Sequence, residues 1–194
     1  MIERIDATPT QYNGTEYRSR TEARWAVFFD ELKVNHEYEA KTLELSDGTK
    51  YLPDFYLPEF NTYFEVKPNS DQIVTNECVK ARKLSRDLQQ DKTRVWLSTG
   101  GPSEQTPNII PLSDWKFEDD IGLILASREN RYVFHQDRRD EGIFWLYSST
   151  AAGWMRTTYL VGGWGDITDH NREPLMFGLV EKAYKSARAF KFLD

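Results

Sequence analysis

The sequence contains a single cysteine, Cys78, in 194 residues. One thiol cannot form an internal disulfide, and it excludes a cysteine-rich zinc site, so the composition favours a reducing compartment, the cytoplasm. The sequence also has no apolar run of membrane-spanning length, and residues 1–10 lack the basic and then apolar layout of a signal peptide. With 39% hydrophobic and 14% aromatic residues, the chain has enough apolar surface for a globular core.

An excess of positive charge is also missing. The net charge of −6 argues against a protein coated with basic residues, although a local basic face remains compatible with it. Histidine is scarce, and His36, His135 and His170 show no metal-ligand spacing. Any metal site in this chain is therefore expected to use carboxylates.

The most informative stretch covers residues 51–68, YLPDFYLPEFNTYFEVKP. It predicts two short strands joined by a tight loop at residues 58–61. Counting back from that loop in antiparallel register places Asp54 directly opposite Glu65, and a slip of one residue would separate them. Two carboxylates facing each other on otherwise apolar strands are destabilising unless a cation lies between them.

This spacing predicts a site for a hard divalent cation. Oxygen ligands on rigid strands suit Mg²⁺ or Mn²⁺, with Asp54 and Glu65 as ligands and the Val66 carbonyl as a third candidate. Lys67 lies on the same face as Glu65, because side chains alternate along a strand. A lysine there can orient or help deprotonate an attacking water and offset charge on a phosphate, which is the chemistry of phosphodiester hydrolysis.

A helix is predicted before this hairpin, from near Tyr17 to about Leu32. Ser19 and Glu22 form a capping-box pattern, and Glu22 also leans toward the buried side of the helix. Two roles for Glu22 therefore compete, because a side chain folded back onto the helix start cannot also reach a metal. Basic residues at the same helix end are expected either to form a solvated face or to contact phosphates.

A second helix is predicted after the hairpin, capped by Ser70 or Asp71 and reaching about Gln89. Its apolar stripe makes Cys78 a packed thiol rather than a nucleophile. The members of that stripe are Val74, Cys78, Ala81, Leu84 and Leu88. The other faces of this helix are basic, either for solubility or for phosphate contact. The residues expected to bind nucleic acid are Arg18, Arg20, Arg24, Lys80 and Lys83.

The remaining patterns complete an α/β fold. A strand over about 36–45 precedes the hairpin, and a strand over 94–98 follows the second helix and is expected to run parallel to its neighbour. Residues 1–112 are predicted to form the core, with residues 1–15 as a polar lead-in arm. Residues 113–194 are predicted to form a β-rich region that ends in a helix and packs on this core. The strand candidates there are Ile121–Ala126, Tyr132–His135, Ile143–Tyr147 and Thr157–Val161, and the last helix is expected from Pro174 to about Phe190.

Pro53-Asp54 followed by Glu65-Val66-Lys67 resembles the signature of the PD-(D/E)xK nuclease superfamily. The order of elements resembles its αβββαβ restriction-endonuclease-like core with a mixed sheet. The string at residues 17–26, YRSRTEARWA, and the ending at 183–188, AYKSAR, are similar to those of phage and prophage members. The resemblance covers about residues 12–100 and the final helix, while residues 115–165 have no counterpart and are where substrate choice is expected to lie.

This resemblance implies a Mg²⁺-dependent endonuclease, with Mn²⁺ as a substitute, that cleaves DNA. It implies that Glu22 completes the site as a metal ligand, that two copies form a homodimer to cut two strands, and that a phage-encoded protein acts in the bacterial cytoplasm. An alternative function is a nuclease-fold module that binds DNA or protein without catalysis. The opposed carboxylates of Asp54 and Glu65 with Lys67 count against it, since a pure binder has no need of them.

Overall fold

The computed structural model describes residues 7–67, 74–114, 118–127, 131–137, 144–147, 156–159, 163–166, 174–175 and 178–192. The helices in these ranges are α1 (Arg20–Leu32), α2 (Asn76–Asp87), α3 (Ile121–Ala126) and α4 (Leu179–Ala189). The strands of the first half are β1 (Thr10–Tyr12), β2 (Thr15–Tyr17), β3 (Glu37–Tyr38), β4 (Leu43–Glu44), β5 (Lys50–Tyr51), β6 (Phe55–Leu57), β7 (Thr62–Lys67), β8 (Arg94–Thr99) and β9 (Ile109–Pro111). Those of the second half are β10 (Val133–Asp137), β11 (Phe144–Tyr147), β12 (Arg156–Tyr159), β13 (Gly163–Asp166) and β14 (Pro174–Leu175).

The central element is a mixed sheet of five strands in the order β3-β6-β7-β8-β9. Its β7 and β8 are parallel, while the other neighbours are antiparallel. Parallel neighbours need a crossover connection, and α2 supplies it. The fold is therefore α/β with a mixed sheet, and the prediction that the strand after the second helix runs parallel to the one before it is confirmed.

The predicted hairpin register is also confirmed. The paired residues of β6 and β7 are Phe55 and Phe64, Tyr56 and Tyr63, and Leu57 and Thr62. The connection is a single 3-10 turn over Pro58–Phe60, and it ends at Asn61 with φ of 46°. Asparagine tolerates this left-handed conformation better than most residues. The Asn61 carbonyl accepts from the Arg94 amide at 3.0 Å, which ties the turn to the start of β8.

The main hydrophobic core lies between α1 and the central sheet. Trp25 of α1 is fully buried, and its ring centroid lies 4.8 Å from that of Phe64 in β7. The second half of the chain contributes to the same core, since Phe28 lies 4.6 Å from Tyr184 of α4 and 5.4 Å from Phe134 of β10, measured between ring centroids. The boundary near residue 112 stays a prediction.

The second sheet has the order β13-β12-β11-β10-β14, and its pairings are antiparallel. It confirms the strand predictions over the described parts of Tyr132–His135, Ile143–Tyr147 and Thr157–Val161. Ile143, Leu160 and Val161 lie outside the described residues. The strand predicted over Ile121–Ala126 is wrong, because this run is α3. Asp120 caps it by accepting from the Gly122 amide at 2.7 Å, a local bond that outweighs the β-like composition.

Both predicted helix starts after the hairpin are too early. The described part of the second helix begins at Asn76, and the Thr75 hydroxyl accepts from the Cys78 amide. Val74 therefore precedes the helix and is 45% exposed rather than part of its buried stripe. Ser70 and Asp71 lie outside the described residues. Pro174 opens β14 instead of the last helix, because its strand pairs with β10, and α4 begins only at Leu179.

Near the start of the chain, the structure adds one element and contradicts one prediction. The polar arm contains an antiparallel hairpin, β1 and β2, whose turn is made by Asn13 and Gly14, both at positive φ. Asn-Gly is a strong turn signal, and it explains why a polar segment forms paired strands. The single strand expected over residues 36–45 is divided, because Glu39 adopts positive φ and β4 pairs with β5 outside the central sheet.

Candidate active site

The carboxyl groups of Asp54 and Glu65 meet at the open end of the β6–β7 hairpin. Asp54 immediately precedes β6, and its Oδ2 accepts from the Val66 amide at 2.7 Å. In return, the Asp54 amide donates to Glu65 Oε2 at 3.4 Å. Each acid is thus bound to the backbone of the opposite strand, and the two stand across from each other as the register predicts.

Both acids are withdrawn from water, since Asp54 is 1% and Glu65 4% exposed. Burial raises the pKa of Asp54 to about 7, and the charge of Glu22 adds to the rise, while the Val66 amide and Arg18 oppose it. Burial, followed by the nearby charge of Asp54, raises the pKa of Glu65 well above its usual range. The raised pKa values favour a shared proton on the pair near neutral pH, because burial disfavours two charged carboxylates side by side.

Two tyrosines hold the glutamates in place. Tyr51 donates to Glu65 Oε2 at 2.6 Å, and Tyr38 donates to Glu22 Oε2 at 2.6 Å. The Tyr51 hydroxyl and the Asp54 amide both donate to Oε2 of Glu65. Oε1 accepts neither of these bonds and can therefore contact a bound group. Sequence analysis missed both tyrosines. Tyr51 lies in the same apolar stretch as the acids, and this position is a weak indication of a role in the site. No sequence spacing connects Tyr38 with Glu22.

Glu22 combines the two roles that the sequence left open. The Ser19 hydroxyl accepts from the Glu22 amide at 3.2 Å and donates to Glu22 Oε1 at 2.8 Å, so both residues contribute to the start of α1. The side chain is 93% buried, and its charge still reaches Asp54. Glu22 thus lies beside the acidic pair, with its oxygens held by Ser19 and Tyr38.

Lys67 ends β7 on the same face as Glu65 and is only 6% exposed. Among the residues that the structure describes, its Nζ has no hydrogen-bond partner. A buried ammonium group without a partner is costly, because it has lost its hydration and gained nothing in exchange. This atom is therefore poised to interact with a group other than the described side chains and backbone.

The five residues expected to bind phosphate are placed very differently. Arg18 forms an ion pair with Asp54, and Lys83 forms one with Asp47. Arg24 Nη1 donates to the carbonyls of Ala187 and Arg188 at 2.5 and 2.7 Å, and so caps the end of α4. Arg20 is exposed at the start of α1, and Lys80 is half-buried on α2. Arg18, Arg24 and Lys83 thus have protein partners far away in sequence, which spacing could not reveal.

Within the described ranges, no three or more side chains of His, Cys, Asp and Glu are grouped so that they could hold a metal ion. The oxygen donors that the structure brings together are those of Asp54 and Glu65, and the Arg18 guanidinium lies on the first of them. No helix in the described part of the chain is long and apolar enough to cross a membrane.

Comparisons of the chain with family models, with curated proteins and with solved structures found no match. The α/β class with its mixed sheet therefore stands on the chain's own topology.

Replacing Tyr51 with phenylalanine is expected to lower the free energy of unfolding by about 1–2 kcal/mol, because a buried acid loses its donor. Urea denaturation measures this loss. The matched control is Tyr56→Phe, whose hydroxyl donates to Asn61 in a partly buried turn rather than to a buried acid. An equal loss in both variants would show that the Tyr51 bond has no special importance for Glu65.

Proposed function

We propose that this protein is a metal-dependent nuclease that hydrolyses phosphodiester bonds of DNA, built on a restriction-endonuclease-like αβββαβ core. One observation carries the proposal. Two buried carboxyl groups face each other at the end of a hairpin, and a buried lysine without a described hydrogen-bond partner ends the same strand. Structural ion pairs do not explain this set, since Lys67 forms none with a described residue.

The donor chemistry fits Mg²⁺, or Mn²⁺ in its place. Asp54 and Glu65 would hold the ion through carboxylate oxygens, with the Val66 carbonyl as a third candidate ligand. Glu22 adds a further negative charge beside them and would join as a ligand only if its bonds to Ser19 and Tyr38 were exchanged. A bound divalent ion would polarise the phosphoryl oxygen and lower the pKa of the attacking water.

The protein's own residues would perform the remaining steps. Lys67 would orient the attacking water and donate to the phosphate oxygens, where negative charge increases in the transition state. Tyr51 would fix the Glu65 carboxylate while leaving Oε1 for the ligand. Arg20 and Lys80 would contact phosphates of the DNA backbone. A phage or prophage origin, action in the host cytoplasm and homodimer formation belong to the same proposal.

One observation favours a second candidate, a DNA- or protein-binding module with the same fold and without catalysis. Arg18 lies against Asp54 and partly neutralises the carboxylate that the metal would need. In such a module the acids and Arg18 would be a structural network only. The nuclease proposal is favoured because a structural network provides no function for the Lys67 ammonium group.

The test is cleavage of single-stranded, duplex and branched DNA and of RNA, in Mg²⁺, in Mn²⁺ and in a chelator. We expect metal-dependent cleavage of DNA that Asp54→Asn reduces by at least about a hundredfold. Asp91→Asn is the matched control, since Asp91 is an exposed aspartate beyond the end of α2. A wild-type protein that cuts none of these substrates, or an Asp54→Asn variant as active as the control, would favour the binding module.

A further inference from the structure

We infer that Arg18 is an exchangeable counter-ion of Asp54, which a divalent cation displaces and which then becomes available to a substrate phosphate. This inference rests on the proposed function, because it concerns the same carboxylates. It assigns Arg18 two positions: against the acids in the metal-free protein, and away from them when the metal is bound.

The guanidinium of Arg18 lies among three acids. Nη2 forms an ion pair with Asp54 Oδ1, while Nε lies 2.9 Å from Glu39 Oε1 and 4.0 Å from Glu22 Oε2. No other described cation forms an ion pair with Asp54 or Glu22. Arg18 therefore occupies the position in which a metal ion would balance these carboxylates.

The geometry makes Arg18 and a metal ion compete for one atom. Asp54 Oδ2 already accepts from the Val66 amide at 2.7 Å, so Oδ1 is the oxygen that a metal would take. Arg18 Nη2 is bound to that same Oδ1. A guanidinium left in contact with a metal ligand would also repel the dication strongly in a site shielded from water. Binding of the metal therefore requires the guanidinium to leave.

Arg18 can move at low cost. Its side chain is 53% exposed, although that of Asp54 is only 2% exposed. Arg18 therefore approaches Asp54 from the solvent side, and more than half of its side chain is already in contact with water. Glu39 offers a second partner, since its side chain is 29% exposed and already bonded to Nε. The displaced guanidinium would then stand at the entrance, where a DNA phosphate approaches.

The test is binding of Mn²⁺ alone, measured by calorimetry on the intact protein. Since the metal-competent state is only a fraction of the wild-type population, Arg18→Ala is expected to bind Mn²⁺ about tenfold more tightly. The matched control is Arg188→Ala, which removes a partly exposed arginine whose ion pair is with Glu104 and not with Asp54, Glu22 or Glu65. It is expected to bind Mn²⁺ like the wild type.

Thermal unfolding gives a second measurement. In a chelator, Arg18→Ala is expected to melt below the wild type because Asp54 has lost its partner, and the difference should narrow in saturating Mn²⁺. Arg18→Lys keeps the charge without the planar guanidinium and is expected to have intermediate Mn²⁺ affinity. Arg18→Lys also replaces Arg18→Ala in both measurements if the alanine variant does not fold.

The outcomes separate this inference from the proposed function. One outcome is that the wild type binds Mn²⁺ and cuts DNA, while Arg18→Ala and Arg18→Lys bind Mn²⁺ with the affinity of the wild type. The counter-ion role is then wrong and the nuclease stands. If neither the wild type nor the Arg18 variants bind Mn²⁺ or cut DNA, both are wrong. Tighter Mn²⁺ binding in Arg18→Ala, together with a wild type that binds Mn²⁺ but cuts no DNA, would support the counter-ion role and overturn the nuclease.

Discussion

Replacing Lys67 with methionine is expected to raise the free energy of unfolding of the metal-free protein by about 2 kcal/mol and to reduce cleavage by at least about a hundredfold. The gain in stability has a specific cause. The Nζ of Lys67 is buried and has no hydrogen-bond partner in the described structure, and methionine fills a similar volume without a charge. Function and stability would then oppose each other at a single residue.

The opposing effect is the attraction between Lys67 and the nearby acids. Residues two apart on a strand are about 7 Å apart, where opposite charges attract by about 2 kcal/mol at an effective dielectric constant of 20. This attraction is weakened in the metal-free protein, because the raised pKa of Glu65 favours its neutral form and Asp54 is paired with Arg18. The desolvation cost of the ammonium group, several kcal/mol, therefore dominates.

Urea denaturation in a chelator measures the gain in the free energy of unfolding of Lys67→Met. This gain corresponds to a rise in melting temperature of about 4–8 °C. The matched control is Lys182→Met, since Lys182 is 68% exposed and pairs with Glu31 on the surface. It is expected to change stability by less than about 0.5 kcal/mol. If Lys67→Met is destabilised instead, its ammonium group has a partner that stabilises the metal-free protein.

The second large effect is a loss of stability as the pH rises. Without divalent cations, the free energy of unfolding of the wild type is expected to fall by about 3 kcal/mol between about pH 5 and pH 8. The cause is the proton on Asp54, whose pKa in the folded protein is about 7, compared with 3.8 as its ordinary value. Glu65, whose pKa is also raised, adds to the same trend.

The sign follows from proton binding. Between its unfolded and folded pKa values, Asp54 holds a proton in the folded protein and has lost it in the unfolded chain. Raising the pH in this window therefore favours unfolding. The stabilising contribution is complete below about pH 4 and is lost as the pH rises through about 7.

Asp54→Asn isolates this effect, since an amide does not titrate and the variant should lose much of the dependence. Asp47→Asn is the control, because its ion pair with Lys83 lowers the pKa of Asp47 to about 2, outside the range tested. Urea titrations across the range measure the slopes. A wild-type protein whose stability rises with pH would show that Asp54 is ionised throughout.

The part of the site that could be predicted from sequence depends on short-range geometry. Asp54 and Glu65 belong to one hairpin, and a short loop with alternating side chains determines which residues face each other. The capping contact between Ser19 and Glu22 is equally local. The sheet order required one more rule, that a helical crossover joins parallel strands.

The part that could not be predicted depends on tertiary contacts. The pairing of Arg18 with Asp54 joins residues 36 positions apart, and Arg24 reaches Ala187 across 163 positions. No periodicity connects such residues, so an arginine bonded inside the protein has the same sequence pattern as one exposed to DNA. The α3 segment was misassigned for another reason, since a short apolar run fits a strand or a helix and the Asp120 cap decides between them.

The packing of α4 against α1 has a consequence for the order in which the candidate site is completed during synthesis. The β6–β7 hairpin with both carboxylates leaves the ribosome more than 100 residues before α4, which begins at Leu179. Until α4 is made, Phe28 lacks the Tyr184 ring against which it packs, and Arg24 has no helix end to cap. A nascent chain therefore carries the acids before the helix bearing Glu22 is fully supported, so the proposed nuclease would cut only after this region has been translated.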